Sequence, residues 1–185
     1  MSPKRPWEVL SSRTLVERRW LTIRELHVRL ANGHEMAEFH LLESPEWASV
    51  LAVTPEGMVV MVRQWRHGAG RSALELPAGV IDSGETGLLA AQRELEEETG
   101  YVSREWHALM VVNPEPARHR TRAHFFVALG AEPTGESRLE PTEVLDVELV
   151  PSVELLARFE AGDIVHGVHV AAILLAGRRG LVDLG

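Results

Sequence analysis

Three glutamates, Glu94, Glu97 and Glu98, stand at i, i+3, i+4 in the segment Arg93-Glu94-Leu95-Glu96-Glu97-Glu98-Thr99-Gly100-Tyr101. At about 100° per residue they occupy one face of a helix, within an arc of roughly 100°. Leu88, Ala91, Leu95 and Thr99 form an adjoining stripe that can pack inward, and Glu96 points away from the cluster. Like charges at i,i+4 repel, so an isolated helix gains nothing from this arrangement. A divalent cation removes the repulsion. Hard cations such as Mg²⁺ take carboxylate oxygens and complete their shell with water and substrate phosphate. The helix is predicted to begin at Glu85 or Thr86 and to end at Thr99, with Gly100 in the left-handed position that follows many helices.

In a chain with 23 glutamates, three on one face could be plain surface. The flanks argue otherwise. Gly79, Glu85, Arg93, Glu94, Leu95, Glu97, Glu98, Gly100 and Tyr101 meet the full pattern Gly-x5-Glu-x7-Arg-Glu-apolar-x-Glu-Glu-x-Gly-apolar over residues 79–101. That pattern resembles the Nudix box, the signature of hydrolases that cleave nucleoside diphosphates linked to another moiety. The resemblance implies an α/β fold, a Nudix-type α/β/α sandwich with a mixed sheet. It also implies Mg²⁺ or Mn²⁺ held by Glu94, Glu97 and Glu98 with the carbonyl of Ala78. Gly79 would let the backbone approach that site without a side chain in the way. Glu85 and Arg93 would orient the helix through an arginine–carboxylate fork.

The length of 185 residues fits one domain of ordinary size with a small appendage. A net charge of −8 argues against a nucleic-acid-binding surface but not against an enzyme whose cations meet an anionic substrate. With no cysteine, disulfides, thiolate catalysis and Cys-ligated zinc are excluded. The start Met1-Ser2-Pro3-Lys4-Arg5-Pro6-Trp7 has no apolar run of a signal peptide. The apolar stretch Ile164 to Ala176, interrupted by His166, Gly167 and His169, is too short to span a bilayer. A cytoplasmic chain without a membrane partner is expected.

Along the chain, Leu26, Val28 and Leu30 alternate with polar residues, and Asn32-Gly33 marks a tight hairpin before a return strand from Glu35 to Leu42. Ser44-Pro45 breaks the pattern. We therefore expect residues 1–45 to form a small N-terminal antiparallel β subdomain and residues 46–185 the hydrolase domain. Strands are expected at Ala48–Thr54, Met58–Trp65, Leu74–Leu76, Trp106–Val112, His124–Leu129 and Val144–Val150, and helices at Val153–Glu160 and Ile164–Ala176. Strands ahead of the core resemble those of ADP-ribose and nucleoside-diphosphate-sugar pyrophosphatases. That resemblance implies a homodimer in which N-terminal strands are exchanged.

The attacking water needs a base. In the resembling enzymes it is a box glutamate or a glutamate on a later loop. Glu143, then Glu140, in Arg138-Leu139-Glu140-Pro141-Thr142-Glu143 stand in the expected place, with Glu97 and Glu94 as box alternatives. Val62-Arg63-Gln64-Trp65-Arg66 and Leu74-Glu75-Leu76-Pro77-Ala78-Gly79 also resemble the ADP-ribose group. Arg66 is a candidate phosphate contact and Glu75 a candidate for a metal-bound water or the ribose. Arg63 is either a substrate contact or half of a structural ion pair. The segment Asn113-Pro114-Glu115-Pro116-Ala117-Arg118-His119-Arg120-Thr121-Arg122 is basic and departs from the ADP-ribose pattern, lacking its glycine. Arg118 and its neighbours are candidate contacts to a different distal sugar, or else a solvated loop. His166 and His169 read as packing or helix-end residues. The expected activity is Mg-dependent hydrolysis of the pyrophosphate of ADP-ribose or a related nucleotide sugar. The alternatives are a hydrolase of nucleoside triphosphates and a non-catalytic nucleotide-binding module.

Overall fold

A computed structural model describes residues 6–135, 137–139 and 141–185. The chain divides into two compact units. The first comprises the chain up to Glu46 together with Asn113–Arg122, and the second Trp47–Val112 with Ala123–Gly185.

In the first unit β1 (Glu8–Arg18), β2 (Leu21–Arg29) and β3 (Glu35–Glu43) form an antiparallel meander. The Asn32-Gly33 turn closes β2 onto β3. Gly33 takes φ +86°, and the Asn32 side chain accepts from the His34 N–H at 3.0 Å. The segment expected as a basic loop contributes β10 (His119–Arg120), which pairs in parallel with β3. Its side chains are committed locally. Asn113 donates to the Thr121 carbonyl (2.7 Å), Thr121 to the Pro45 carbonyl (2.8 Å), Arg120 pairs with Glu43 and Arg122 with Glu46. The last three of these ties, across 76 or 77 residues of sequence, are why residues 113–122 group with the N-terminal strands rather than with the second unit.

The second unit is built on a mixed sheet in the order β13-β5-β4-β11-β9. Its strands are β4 (Trp47–Val53), β5 (Met58–Arg66), β9 (Glu105–Val112), β11 (Ala123–Leu129) and β13 (Leu145–Pro151). Two short strands add to it, β6 (Arg71–Glu75) on β5 and β7 (Ala78–Val80) on β4. A separate pair joins β8 (Tyr101–Val102) to β12 (Glu132–Pro133). The helices are α1 (Gly87–Thr99), α2 (Leu155–Glu160) and α3 (Gly167–Arg178).

Period-two alternation sends the two sides of each strand into different cores. Ala48, Val50 and Ala52 of β4 and Val60 of β5 meet Ala90, Ala91 and Leu95 of α1. Leu51, Val53, Val59 and Met61 meet Leu155 of α2 and Ala172, Ile173 and Ala176 of α3. The result is the expected α/β/α sandwich. Each fully buried Leu or Ile here contributes about 1.5–3 kcal/mol.

Two helix starts differ from expectation. The helix expected from Val153 opens with a 3-10 turn, Ser152–Glu154, before α2. The last helix begins at Gly167 rather than Ile164, because His166 is extended (φ −82°, ψ 103°) at its N-cap. Ile164 is nonetheless buried in the core, so its apolarity reports packing and not helix.

Candidate active site

Helix α1 is fixed at both ends. The Thr86 hydroxyl accepts from the Leu89 N–H at 3.3 Å, and Gly100, at φ +70°, donates to the Glu96 carbonyl at 2.8 Å. Leu95 is buried against the sheet, and this rotation brings Glu94 and Glu98, its near neighbours around the helix, under cover as well. Glu97 stays at the rim, its side chain 39% exposed.

Beneath them runs the segment Leu76–Val80. Its β7 residues pair with β4, Ala78 opposite Ser49 and Gly79 opposite Ala48. The Ala78 N–H donates to the Glu98 carboxylate at 3.0 Å. Gly79 lies so close to Glu94 that a Cβ there would overlap the carboxylate. The absence of a side chain at this position is therefore a steric requirement of the site.

Arg93 ties the loop before the helix to the helix itself. It forks onto Glu85 (3.1 Å from both Nε and Nη2), donates to the Val80 carbonyl (2.9 Å), and reaches Glu94 (2.6 Å) and Glu97 (3.1 Å). Pairing with Arg93 holds the Glu85 carboxyl below its ordinary range. The box pattern gave Glu85 and Arg93 an orienting role, and here they link the loop before α1 to Glu94 and Glu97.

Glu143 completes the arrangement. The loop that carries it is anchored to the end of α1: the Thr134 N–H donates to the Gly100 carbonyl (2.8 Å) and the Arg138 N–H to the Glu97 carbonyl (2.7 Å). One carboxylate oxygen from each of Glu94, Glu98 and Glu143 falls within a 4.8 Å span. The sequence chose Glu143 as a base and did not count it with the helix glutamates; only its position ahead of a strand signalled it. Glu140 lies outside the described residues.

Crowded, buried like charges raise one another's pKa. Burial, with added repulsion from Glu94 and Glu143, pushes Glu98 up to about 8, against the pull of the Ala78 N–H and Arg66. Burial also raises Glu94, opposed by Arg93. A cation would supply the missing counter-charge, and three hard oxygen donors in one spot are the donor set Mg²⁺ or Mn²⁺ takes.

The upstream candidates divide. Arg66 forks onto the buried Glu75 (2.9 Å from Nε) while its guanidinium stays partly exposed. Glu75, 1% exposed, therefore serves Arg66 rather than standing in the open. Arg63 is given to Glu148, and to Asp163 at 3.5 Å, which is the structural pair the sequence allowed for. Arg118 belongs to the first unit, where its carbonyl accepts from the Leu42 N–H at 2.8 Å. His166 and His169 stack at 4.3 Å within the second core, beside Trp47, which contacts both rings. Sequence reasoning missed that His169 Nδ1 accepts from the Leu76 N–H at 3.3 Å, two residues before Ala78.

Comparison with known families agrees with the box. The model of the NUDIX domain matches residues 45–167, and that of the nucleoside diphosphate sugar hydrolase N-terminal domain matches residues 7–42. The chain belongs to the Nudix family and is a hydrolase of that family. It is 34% identical over 140 residues to the ADP-ribose pyrophosphatase of Bacillus subtilis, covering 74% of this chain and 75% of that one. It is 29% identical over 170 residues to the ADP-ribose pyrophosphatase of Mycobacterium tuberculosis, covering 91% and 82%. A crystal structure of an ADP compounds hydrolase superposes with a TM-score of 0.85 at 22% identity, over 98% of this chain and 97% of that one, and so shares the fold. Among the described residues no helix is long and apolar enough to cross a membrane.

Proposed function

We propose that this enzyme hydrolyses the pyrophosphate of ADP-ribose or a closely related nucleoside-diphosphate sugar, giving a nucleoside monophosphate and a sugar phosphate. The observation that carries the reading is the cluster in which Glu143, from a later loop, joins Glu94 and Glu98 of the box helix of a Nudix chain. Two ADP-ribose pyrophosphatases among its relatives support the substrate class.

Glu94 and Glu98, with Glu97 at the rim and the Ala78 carbonyl below, would hold Mg²⁺ or Mn²⁺. The bound cation would neutralise the pyrophosphate and lower the pKa of a water. Glu143 accepts the proton of the attacking water from its place in the cluster, within the same 4.8 Å span as Glu94 and Glu98. Arg66, charged and partly exposed, offers its unused N–H groups to a phosphate, with Glu75 fixing its orientation. The test is to incubate the protein with ADP-ribose and a panel of nucleotide sugars and triphosphates, with Mg²⁺ or with chelator. Metal-dependent release of nucleoside monophosphate from the sugars is expected. No turnover anywhere in the panel, despite nucleotide binding by calorimetry, would return the chain to a binding module.

We also infer a homodimer formed through the N-terminal strands. β1 is an edge strand, and Trp7, Val9 and Leu15 leave apolar surface exposed on or beside it. Long exposed edges of this kind are normally covered. Light scattering at the mass of one chain would overturn the inference.

A further inference from the structure

The segment Leu76–Gly79 delivers an N–H to Glu98 and a bare Cα to Glu94, so its placement sets the geometry of the carboxylates. Three ties hold it. The pairing with β4 and the bond from the Val50 N–H to the Pro77 carbonyl (3.1 Å) are backbone contacts, which do not depend on side-chain identity. The third is a side chain. Leu76 is itself buried, and its N–H is donated to His169 Nδ1.

A backbone N–H can only donate, so Nδ1 must be the unprotonated nitrogen and the proton must sit on Nε2. The ring is packed among Trp47, Phe125 and His166, with centroids 4.3 to 5.9 Å away. Nε2 is buried with no partner among the described residues, which leaves the Leu76 bond as the ring's one polar tie. Packing fixes the plane of this fully buried ring, and its one polar bond among the described residues is directed at the Leu76–Gly79 segment. Apolar replacement would leave the Leu76 N–H buried and unpaired, a state the segment relieves by moving.

We propose that His169 is a positioning residue of the active site: as the neutral Nε2–H tautomer it holds Leu76–Gly79 at the height that lets Ala78 and Gly79 meet the metal-binding glutamates. This rests on the reading of Glu94, Glu97 and Glu98 as the ligands of a cation, with Glu143 beside them as the base.

Asparagine places an oxygen where Nδ1 stands, whereas glutamine places its polar group where Nε2 stands. The experiment compares wild type, His169→Asn, His169→Gln and His169→Leu by Mn²⁺ titration followed by electron paramagnetic resonance, with melting temperatures measured in parallel. His169→Gln and His169→Leu are expected to weaken Mn²⁺ binding by about 10- to 100-fold, the range for partners that orient metal ligands. His169→Asn should stay within a few-fold of wild type. Steady-state turnover should show the same split, in the Mg²⁺ half-saturation and kcat more than in the substrate KM. A role in packing alone would lower all melting temperatures and leave Mn²⁺ affinity unmoved, and that outcome overturns the proposal, as does His169→Asn weakening binding as much as His169→Gln. Should His169→Leu fail to fold, the Asn–Gln pair still decides. Wild type that binds no Mn²⁺ would instead overturn the reading of the cation site, a result separate from any difference among variants.

Discussion

The two faces of the central sheet bury opposite kinds of polar group. On the α1 face the facing residues are small, with Ala48, Ala52, Ala90 and Ala91 fully covered, and the helix backbone comes close to the strands. That closeness carries Glu94 and Glu98 under cover as crowded carboxylates. On the α2–α3 face the core is bulky, with Leu51, Met61, Leu74, Phe125, Leu155 and Ile173, and it buries a titratable group as a neutral imidazole, His169. The first face stores repulsion that a cation removes, while the second closes around a group whose charged form it excludes. Stability and the site are thus assigned to different sides of one sheet, joined through the Leu76–Gly79 segment.

The largest effect that tests this division is Glu98→Gln. On the proposed reading, loss of this cation ligand removes several kcal/mol of transition-state stabilisation, which at about 1.4 kcal/mol per decade lowers kcat by roughly 10²- to 10⁴-fold. The metal-free protein should respond in the opposite direction. The folded Glu98 carboxyl keeps its proton up to about pH 8, whereas the unfolded chain releases it near 4.5. Its contribution to stability is therefore full below 4.5 and is lost as pH rises through about 8. The amide has no such loss, so in chelator Glu98→Gln should gain on wild type as pH rises, and added Mg²⁺ should erase the gain. His169 on the other face slopes the other way. Burial, with His166 and Arg66 adding repulsion, holds it well below its ordinary 6.5. Unfolded chains bind a proton there that the folded chain does not, so stability is full above 6.5 and falls as pH drops below it, with or without Mg²⁺. Melting curves across pH, with and without metal, separate the two slopes. A single slope shared by both faces would break the division.

Next in size is Gly79→Ala. One added carbon overlaps the Glu94 carboxylate, so either Glu94 or β7 must move. A loss of about 10- to 100-fold in kcat is expected, of the order seen when the groups orienting metal ligands are disturbed. Gly57→Ala is the control: nothing lies near its Cβ, and its cost is the strain of φ +78° in a distant turn. If both glycine variants kept wild-type turnover, the close approach of β7 to Glu94 would carry no function.

Much of the α1 face was legible in the sequence, because its information is local. Helical spacing put the glutamates on one side, Thr86 and Gly100 marked the ends, and Gly79, Glu85 and Arg93 lie within 23 residues that act as a unit. The alternation of β4 and β5 was legible for the same reason. What was not legible depends on partners distant in sequence. Parallel pairing of β10 with β3 joins residues near 119 to residues near 42, and nothing in the basic composition of 113–122 announces it. Arg63 could be read as substrate contact or ion pair until Glu148 and Asp163 were seen beside it. Likewise, the acceptor role of His169 requires knowing that the start of α3 meets the Leu76 N–H, 93 residues earlier.

A pair of packing variants tests the division at intermediate size. Ile173→Ala opens a cavity on the bulky face and should cost about 2–5 kcal/mol in chemical denaturation. Turnover per folded molecule should be unchanged. Ala91→Leu overfills the close-packed face at about 1–3 kcal/mol and pushes α1 from the sheet. It should therefore lower kcat although it costs less stability. The reverse ranking of kcat would show that the helix approach is set elsewhere.

The smallest effect concerns how the loop carrying Glu143 is held. Arg138 makes two bonds to α1: its side chain pairs with Glu96 at 2.7 Å, and its N–H donates to the Glu97 carbonyl at 2.7 Å. The first is an exposed ion pair, a class worth about 0–1 kcal/mol and weakened by salt. The second lies in the backbone, directly at the end of α1. Arg138→Ala keeps the second and should leave kcat within about twofold of wild type, since under 1 kcal/mol is at stake. Arg138→Pro deletes the N–H as well and should lower kcat clearly further, because the tether between Glu97 and the Glu143 loop is gone. If Arg138→Ala were as damaging as Arg138→Pro, the loop would be positioned by a surface charge, its activity would fall with ionic strength, and Glu143 would belong to a more loosely held part of the site than Glu94 and Glu98.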